Sequence, residues 1–132
     1  MISKYTKNKI IESFGELVGT EVINRLSTLS DKNLILQGNV QSIDRSAEMA
    51  SKISVAFRAK MSNYHLGNSG IKIAENLNKI DDRLSGKNIL LEPMDKIDLE
   101  AMSLALNSVD AAKEFKTIFN KICDNLNGFQ PE

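Results

Sequence analysis

Few side chains in this chain are of types that could do chemistry, and two of them stand close together. Arg58 and His65, the only histidine, lie seven residues apart in the stretch FRAKMSNYHLGNSG, residues 57–70. On an α-helix, seven residues return to within about twenty degrees of the same direction and rise about 10 Å. Further steps of seven towards the N-terminus add Ser51 and Asp44. The spacing predicts a polar row on one helix face.

A polar row beside an apolar seam is typical of the rim of a helix contact, within the chain or with a second subunit. An Arg followed after a short gap by a His also resembles the motif of the HEPN superfamily, small all-helical domains that are often dimeric RNases. The resemblance implies a metal-independent RNase, in which His65 assists proton transfer and Arg58 stabilises phosphate charge. It covers residues 58–65, and Ala59 stands where the family usually has Asn or Asp.

His65 also has a structural explanation. It precedes Gly67, a residue that commonly ends a helix, and a histidine near a helix C-terminus interacts favourably with free carbonyl groups and the helix dipole. This explanation requires no catalysis.

Other catalytic or metal-binding patterns are missing. One Cys and one His, Cys123 and His65, make no zinc pattern, and the carboxylates lack the spacing of a calcium loop. The fragment LSGKN, residues 84–88, lacks the earlier Gly and the following Ser or Thr of a phosphate-binding loop. We therefore expect no metal and no cofactor, and we expect Cys123 to be a core thiol.

A weaker alternative is a nucleic-acid-binding regulator. Lys72, Lys79 and Arg83 project together from the predicted fourth helix and could contact phosphates, but Glu75 and Asp82 flank them. Lys plus Arg and Asp plus Glu both number 17, so no global field favours nucleic acid or an anionic membrane.

Composition and periodicity predict an all-α fold. The 132 residues include 42% hydrophobic residues and no Trp, which suits one helical domain spanning 1–132. We predict a bundle of about five or six helices with a first corner at Gly19 and a central long helix near 41–66. No apolar run approaches the ~20 residues of a membrane span, and we expect a cytoplasmic protein.

Some details of the bundle stay open. A short helix or turn is favoured within 30–40, and 96–127 is one helix or two, broken near Asn107 and Ser108. The central helix carries a narrow, mainly apolar stripe whose residues are spaced alternately four and three apart. Two of its members, Ala47 and Ala50, are small enough to let a partner helix approach closely. Met49 lies off that stripe, and we predict it to be exposed or part of a second interface. The stripe comprises Ile43, Ala47, Ala50, Ser54, Phe57, Met61 and Tyr64.

These observations favour a small non-catalytic helical protein that acts through protein–protein contacts, such as an inhibitor, an immunity or antitoxin-like factor, or an adaptor. The candidate interface residues are Asp44, Met49, Ser51, Arg58 and His65. We expect a protein partner, with a homodimer as one possibility.

Overall fold

The computed structural model describes residues 2–38 and 46–128, except for the side chain of Thr28. This part of the chain contains seven α-helices and no strand, so the predicted all-α class is confirmed, with more helices than predicted. The helices pack around one hydrophobic core. They are α1 (Lys4–Phe14), α2 (Glu16–Leu29), α3 (Lys32–Leu36), α4 (Ala47–Ser62), α5 (Gly67–Leu84), α6 (Lys96–Leu106) and α7 (Val109–Asn127).

The first corner lies at Gly15 and not at the predicted Gly19. Gly15 has φ +87°, a left-handed value that glycine adopts without steric cost, and it separates α1 from α2. Gly19 lies inside α2, where an added Cβ would stand 2.9 Å from the Cα of Ile11. Its small size therefore permits close packing of α2 on α1.

Of the central long helix predicted near 41–66, residues 41–45 lie outside the described residues, and within the rest α4 spans Ala47–Ser62, which ends earlier than predicted. Its buried stripe follows steps of four through Met49, Ile53, Phe57 and Met61. Met49 is 8% exposed, so its prediction as a surface residue is wrong. Steps of four drift around a helix by about 40° each, and the stripe is tilted across α4.

The closest packing of two helices joins α4 to α5. A Cβ added at Gly70 would stand 2.8 Å from the carbonyl oxygen of Phe57, so the α4 backbone passes directly over Gly70. Asn78 Nδ2 donates hydrogen bonds to Ala50 O at 3.1 Å and to Ser54 Oγ at 3.2 Å. A glycine of α5, and not only small residues of α4, lets this pair approach.

The long C-terminal pattern forms two helices. Asn107 adopts the left-handed conformation at φ 52° and ends α6, and Ser108 Oγ accepts a hydrogen bond from Ala111 N to begin α7. Asp95 begins α6 with a capping box, in which its side chain accepts from Asp98 N and the Asp98 side chain accepts from Asp95 N.

The favoured short helix within 30–40 is confirmed for the residues of α3. Asp31 caps it by accepting a hydrogen bond from Asn33 N at 2.8 Å. The buried Ile35 anchors it to the core.

Candidate functional site

One side of α4 faces solvent along its whole length. This outer face of α4 consists of Ser51, Val55, Arg58, Ala59 and Ser62, all of them exposed. Val55 is 54% exposed at its centre. Across residues 2–38 and 46–128, neither a hydrogen bond nor an ion pair engages the guanidinium of Arg58. The outer face is a small apolar centre surrounded by short polar or small side chains and one cation, Arg58, which has no polar partner among the residues that the structure describes.

His65 does not continue the helix that carries Arg58. α4 ends at Ser62, and His65 has φ 60° in the turn beyond it. The N–H of Leu66 donates to Met61 O, and the N–H of His65 donates to Ser62 O, both at 3.0 Å. This pair of bonds is a Schellman ending, in which His65 occupies the left-handed position usually taken by glycine.

The predicted polar row is therefore not one helical face. Ser51 and Arg58 share the outer face of α4, His65 is exposed in the turn after it, and Asp44 lies outside the described residues. Met49 faces the core and drops out of the candidate interface. Gly67, predicted to end the helix, instead begins α5.

Lys72 of α5 is bound by carboxylates that lie beyond the C-terminal end of α5 in the chain. Its Nζ lies 2.9 Å from Asp98 Oδ2, 3.8 Å from Asp95 Oδ2 and 3.9 Å from Glu92 Oε2. Burial alone would lower the pKa of Lys72, but the hydrogen bond to Asp98 and the three negative charges outweigh it and raise the pKa. The charge of Lys72 is used within the protein.

The other two predicted phosphate contacts differ from one another. Arg83 is 6% exposed, and its Nη2 donates to Asn127 O at 3.3 Å. Lys79 Nζ lies 4.0 Å from Glu75 Oε2, one turn earlier on α5. The three cations therefore do not form one solvent-facing row, because chain from beyond α5 engages Lys72 and Arg83, whereas Lys79 stays partly exposed beside Glu75.

The covering chain is residues 88–94, a segment that is neither helix nor strand, which we call the strap. It lies in the groove between α5 and α7, and α7 binds its main chain at two points. Asn127 accepts from Leu91 N and donates to Leu91 O, both at 2.8 Å. Asn120 accepts from Met94 N at 2.7 Å and donates to Met94 O at 3.2 Å. Each amide pairs with the N–H and the C=O of one strap residue.

A third amide binds the strap from the α5 side. Asn76 accepts from Glu92 N at 2.9 Å and donates to Glu92 O at 3.2 Å. The thiol of Cys123 also points at Glu92 O, with Sγ 3.8 Å away. Pro93 has no N–H, so every main-chain N–H from Leu91 to Met94 is bonded to an asparagine.

Cys123 is a core residue, as its position on α7 predicts. It is 1% exposed, and burial raises the pKa of its thiol to about 12. A thiol with that pKa is protonated near neutral pH and is a poor nucleophile.

Sequence reasoning missed the three strap-binding asparagines. Asn120 and Asn127 are seven residues apart, so they share one side of α7 at the margin of its apolar face. That spacing, together with the apolar loop containing Pro93, is the signal in the sequence. An asparagine on a helix margin is so common that the signal has no meaning until the facing segment is known.

An open cavity of about 610 Å³ lies on another side of α5, beside the start of α4. Its lining includes two cations, Arg25 and Lys79, and two carboxylates, Glu75 and Asp82. Arg25 is fully buried and donates from Nη1 to Leu77 O at 2.6 Å. The balanced charges give the cavity no preference for an anion or a cation.

No family model, no curated protein and no solved structure matches this chain. Within the described ranges, no three His, Cys, Asp or Glu side chains come together in a group that could hold a metal ion. None of the seven helices there combines the length and hydrophobicity needed to cross a bilayer.

Proposed function

We propose that this chain is a non-catalytic helical protein that acts through protein–protein contacts, and that the outer face of α4 is its contact surface. The observation that carries the proposal is the exposure of Val55, 54%, among small and polar residues on a well-anchored helix. The opposite side of α4 is packed into the core through Phe57 and its neighbours, so the surface is rigid before a partner arrives. A preorganised surface loses little conformational entropy on binding.

The composition of the outer face suits a partner helix. Ser51, Ala59 and Ser62 are short, so a second helix can approach the backbone of α4 closely. Arg58 has a long stem that can cover apolar surface and a guanidinium that can pair with a carboxylate of the partner. His65 lies beyond the end of this surface, where it can contribute a rim contact.

The RNase alternative depends on Arg58 and His65 acting together on one phosphodiester. The Schellman ending removes His65 from the helical face that carries Arg58, so the shared direction that motivated the pair is absent. The nucleic-acid alternative has lost support as well, because Lys72 and Arg83 have partners within the protein. We therefore favour the protein-contact function.

The test is a pull-down from the native host with the wild type and with Val55→Arg, followed by light scattering of the recovered complex. We expect one protein at fixed stoichiometry with the wild type and its loss with Val55→Arg, because removing a charged side chain from water at the centre of an interface is costly when no partner charge compensates it. Thr117→Arg, on the exposed side of α7, is the matched control and should retain the partner.

Equal recovery with Val55→Arg and the wild type would refute the outer face as the contact surface. A wild type that is itself a dimer in solution, and a Val55→Arg variant that is a monomer, would identify the partner as a second copy. RNA cleavage by the wild type that disappears in Arg58→Ala, at unchanged thermal stability, would replace the proposal with the RNase function.

A further inference from the structure

We propose that Asn127 and Gly128 form a spontaneous modification site, at which Asn127 deamidates when the strap opens and the product no longer holds the strap closed. The site lies at the end of α7, where the Asn127 side chain binds Leu91. It is separate from the outer face of α4, and its test does not depend on the proposed function.

The sequence at this point is the one most prone to deamidation. Asn127 is followed directly by Gly128, and no other asparagine of the chain precedes a glycine. In deamidation, the main-chain nitrogen of the next residue attacks the asparagine Cγ and closes a five-membered succinimide, while the Cγ–Nδ2 bond breaks and ammonia leaves. Water then opens the ring to aspartate or isoaspartate. Glycine hinders the attack least, because it has no Cβ and its main chain bends freely.

The fold engages the reacting groups in other bonds. Asn127 Nδ2 donates to Leu91 O, and Asn127 Oδ1 accepts from Leu91 N, both at 2.8 Å. The attacking nitrogen, Gly128 N, donates to Asp124 O at 3.2 Å. The main-chain oxygen of Asn127 accepts from Arg83 Nη2 at 3.3 Å. Closure of the succinimide therefore requires the strap to leave Asn127 and the last turn of α7 to open.

The strap is the main barrier to the reaction. Asn127 is the last residue of α7, and Gly128 is exposed. Helix ends open far more often than helix interiors, so the main chain at this site is little protected by α7 itself. Asn76 and Asn120, which bind the strap elsewhere, lie inside helices and precede larger residues. The strap thus has one chemically labile contact and two durable ones.

The product binds the strap less well than the amide does. An ionised carboxylate only accepts hydrogen bonds, so at position 127 it cannot donate to Leu91 O and places a negative charge beside that oxygen. Isoaspartate also adds one carbon to the main chain at the end of α7. We expect the strap to open at Leu91 at least about tenfold more often after the reaction, because a buried C=O loses its partner. Since ammonia has left, the change is permanent.

The first experiment measures how fast Asn127 reacts. The full chain is incubated at mildly alkaline pH, well below its melting temperature, and peptide mass spectrometry follows the conversion of Asn127. The reference is the peptide DNLNGFQ, residues 124–130, which contains the same Asn-Gly pair without a strap. We expect the folded chain to react at least about tenfold more slowly than the peptide, because the reaction waits for a local opening.

Two variants test whether the strap controls the rate. Asn120→Ala removes the bonds that hold the strap at Met94, and we expect it to accelerate the conversion of Asn127 severalfold. Gly70→Ala strains the α4–α5 contact instead, so it is the matched control and should leave the rate unchanged.

A third variant tests the chemistry without disturbing the fold. In Gly128→Ala the added Cβ would lie 3.5 Å from Asp124 O, an ordinary contact, and it would hinder the attack on Cγ. We expect the conversion of Asn127 to be at least about tenfold slower than in the wild type, at an unchanged melting temperature.

The second experiment measures what the product does to the strap. The product is obtained in two ways, as the deamidated fraction of aged wild type, separated by anion exchange, and as the Asn127→Asp variant. Hydrogen exchange followed by mass spectrometry then compares residues 88–94 with α1. We expect exchange in the strap to be at least about tenfold faster than in the unmodified protein, with α1 unchanged. The aged wild type needs no substitution, so this measurement stands even if a variant fails to fold.

Equal rates for the folded chain and the peptide overturn the proposal, because the strap then gives no protection. Equal acceleration by Asn120→Ala and Gly70→Ala overturns it as well, because global unfolding then controls the reaction. Unchanged exchange of the strap in the deamidated protein, or no conversion of Asn127 in either the wild type or Asn120→Ala while the peptide converts fully, has the same consequence.

Discussion

The outer face of α4 and the strap groove are opposites in the way they use polar side chains. On the outer face, Arg58 and Ser51 point into solvent and make no polar contact among residues that the structure describes. In the groove, three asparagines use both the oxygen and the nitrogen of their side-chain amides to bond main-chain groups that would otherwise be buried and unbonded. Arginine is often found in active sites, yet Arg58 makes no hydrogen bond to the described residues. Asparagine is a common surface residue, yet the three groove asparagines make six to the strap.

The difference teaches that polar residues divide into two physical classes in this fold. Those of the groove stabilise the folded chain, because burying an unpaired N–H or C=O group costs about 1–3 kcal/mol. Those of the outer face make no polar contact among the described residues, so we expect their replacement to change the free energy of unfolding little. Stability measurements can therefore separate the two regions before any partner is known.

The largest effect is expected in the groove. Asn120→Ala leaves the N–H and C=O groups of Met94 without partners, and we expect the free energy of unfolding to fall by about 2–4 kcal/mol. Urea denaturation followed by circular dichroism measures it. Arg58→Ala on the outer face is the matched comparison, with an expected change within about 0.5 kcal/mol. Similar losses from the two variants would erase the distinction between the regions.

A smaller effect tests whether α4 is the rigid platform that its outer face requires. Gly70→Ala would place a Cβ 2.8 Å from the carbonyl oxygen of Phe57, so α4 and α5 must separate, at a cost of about 1–3 kcal/mol. Gly128→Ala, whose nearest contact would be an ordinary 3.5 Å, is the control. If Gly70→Ala melts at the wild-type temperature, the α4–α5 contact is looser than the structure indicates.

The next effect has the opposite sign. His65→Gly replaces a side chain held at φ 60° with the residue that tolerates this conformation, and we expect a gain of about 0.5–1 kcal/mol. Arg58→Gly, inside α4, should lose about 1 kcal/mol. Chemical denaturation of both variants measures the contrast. A loss of stability in His65→Gly would mean that the imidazole itself makes a stabilising contact.

The smallest effect concerns Glu114, a carboxylate of α7 that binds residues at the start of the chain. Glu114 Oε2 accepts from Ser3 Oγ at 2.8 Å and from Thr6 Oγ1 at 2.7 Å. Burial alone would raise the pKa of Glu114, but the hydrogen bonds from Ser3 and Thr6 outweigh it and hold the pKa below its ordinary value of 4.5.

Because the folded pKa of Glu114 is lowered, its contribution is complete above about pH 4.5 and is lost as pH falls through the folded pKa. Glu114→Gln should remove part of this acid sensitivity, about a few tenths of a kcal/mol given the partial exposure of the site. Melting temperatures between pH 3 and pH 7 measure it, with the exposed Glu100→Gln as control. Identical pH profiles for Glu114→Gln and the wild type would rule out this linkage.

Much of the fold could be predicted from local sequence. Apolar residues at helical spacing predicted the all-α class, and the break at Asn107 and Ser108 was one of two stated possibilities. Positions of corners were less predictable. Gly19 and Gly67 were predicted to end helices, but the positive-φ conformations at the corners belong to Gly15 and His65. A glycine permits such a conformation without requiring it, so its presence does not by itself locate a helix end.

The site was less predictable than the fold. The prediction for Met49 was wrong because the stripe was assigned to small residues at alternating steps, whereas the larger Met49 and Ile53 fill the space against the core. Arg83 was predicted to face solvent, but it is buried. Periodicity identifies the side of a helix that lies opposite its apolar stripe, and it contains no information about a later segment of the chain that covers that side.

By itself, the sequence determined which segments are helical, which side chains are apolar enough to be buried, and where Asp95 begins a helix, because these depend on neighbours within a few residues. Only the tertiary structure decided that the strap lies between α5 and α7 and that Asn76, Asn120 and Asn127 bind it. An amide on a helix surface has no assigned partner until distant chain is brought to within 3 Å. That placement depends on the burial of Leu91 and Met94 in a groove made by two helices far apart in sequence.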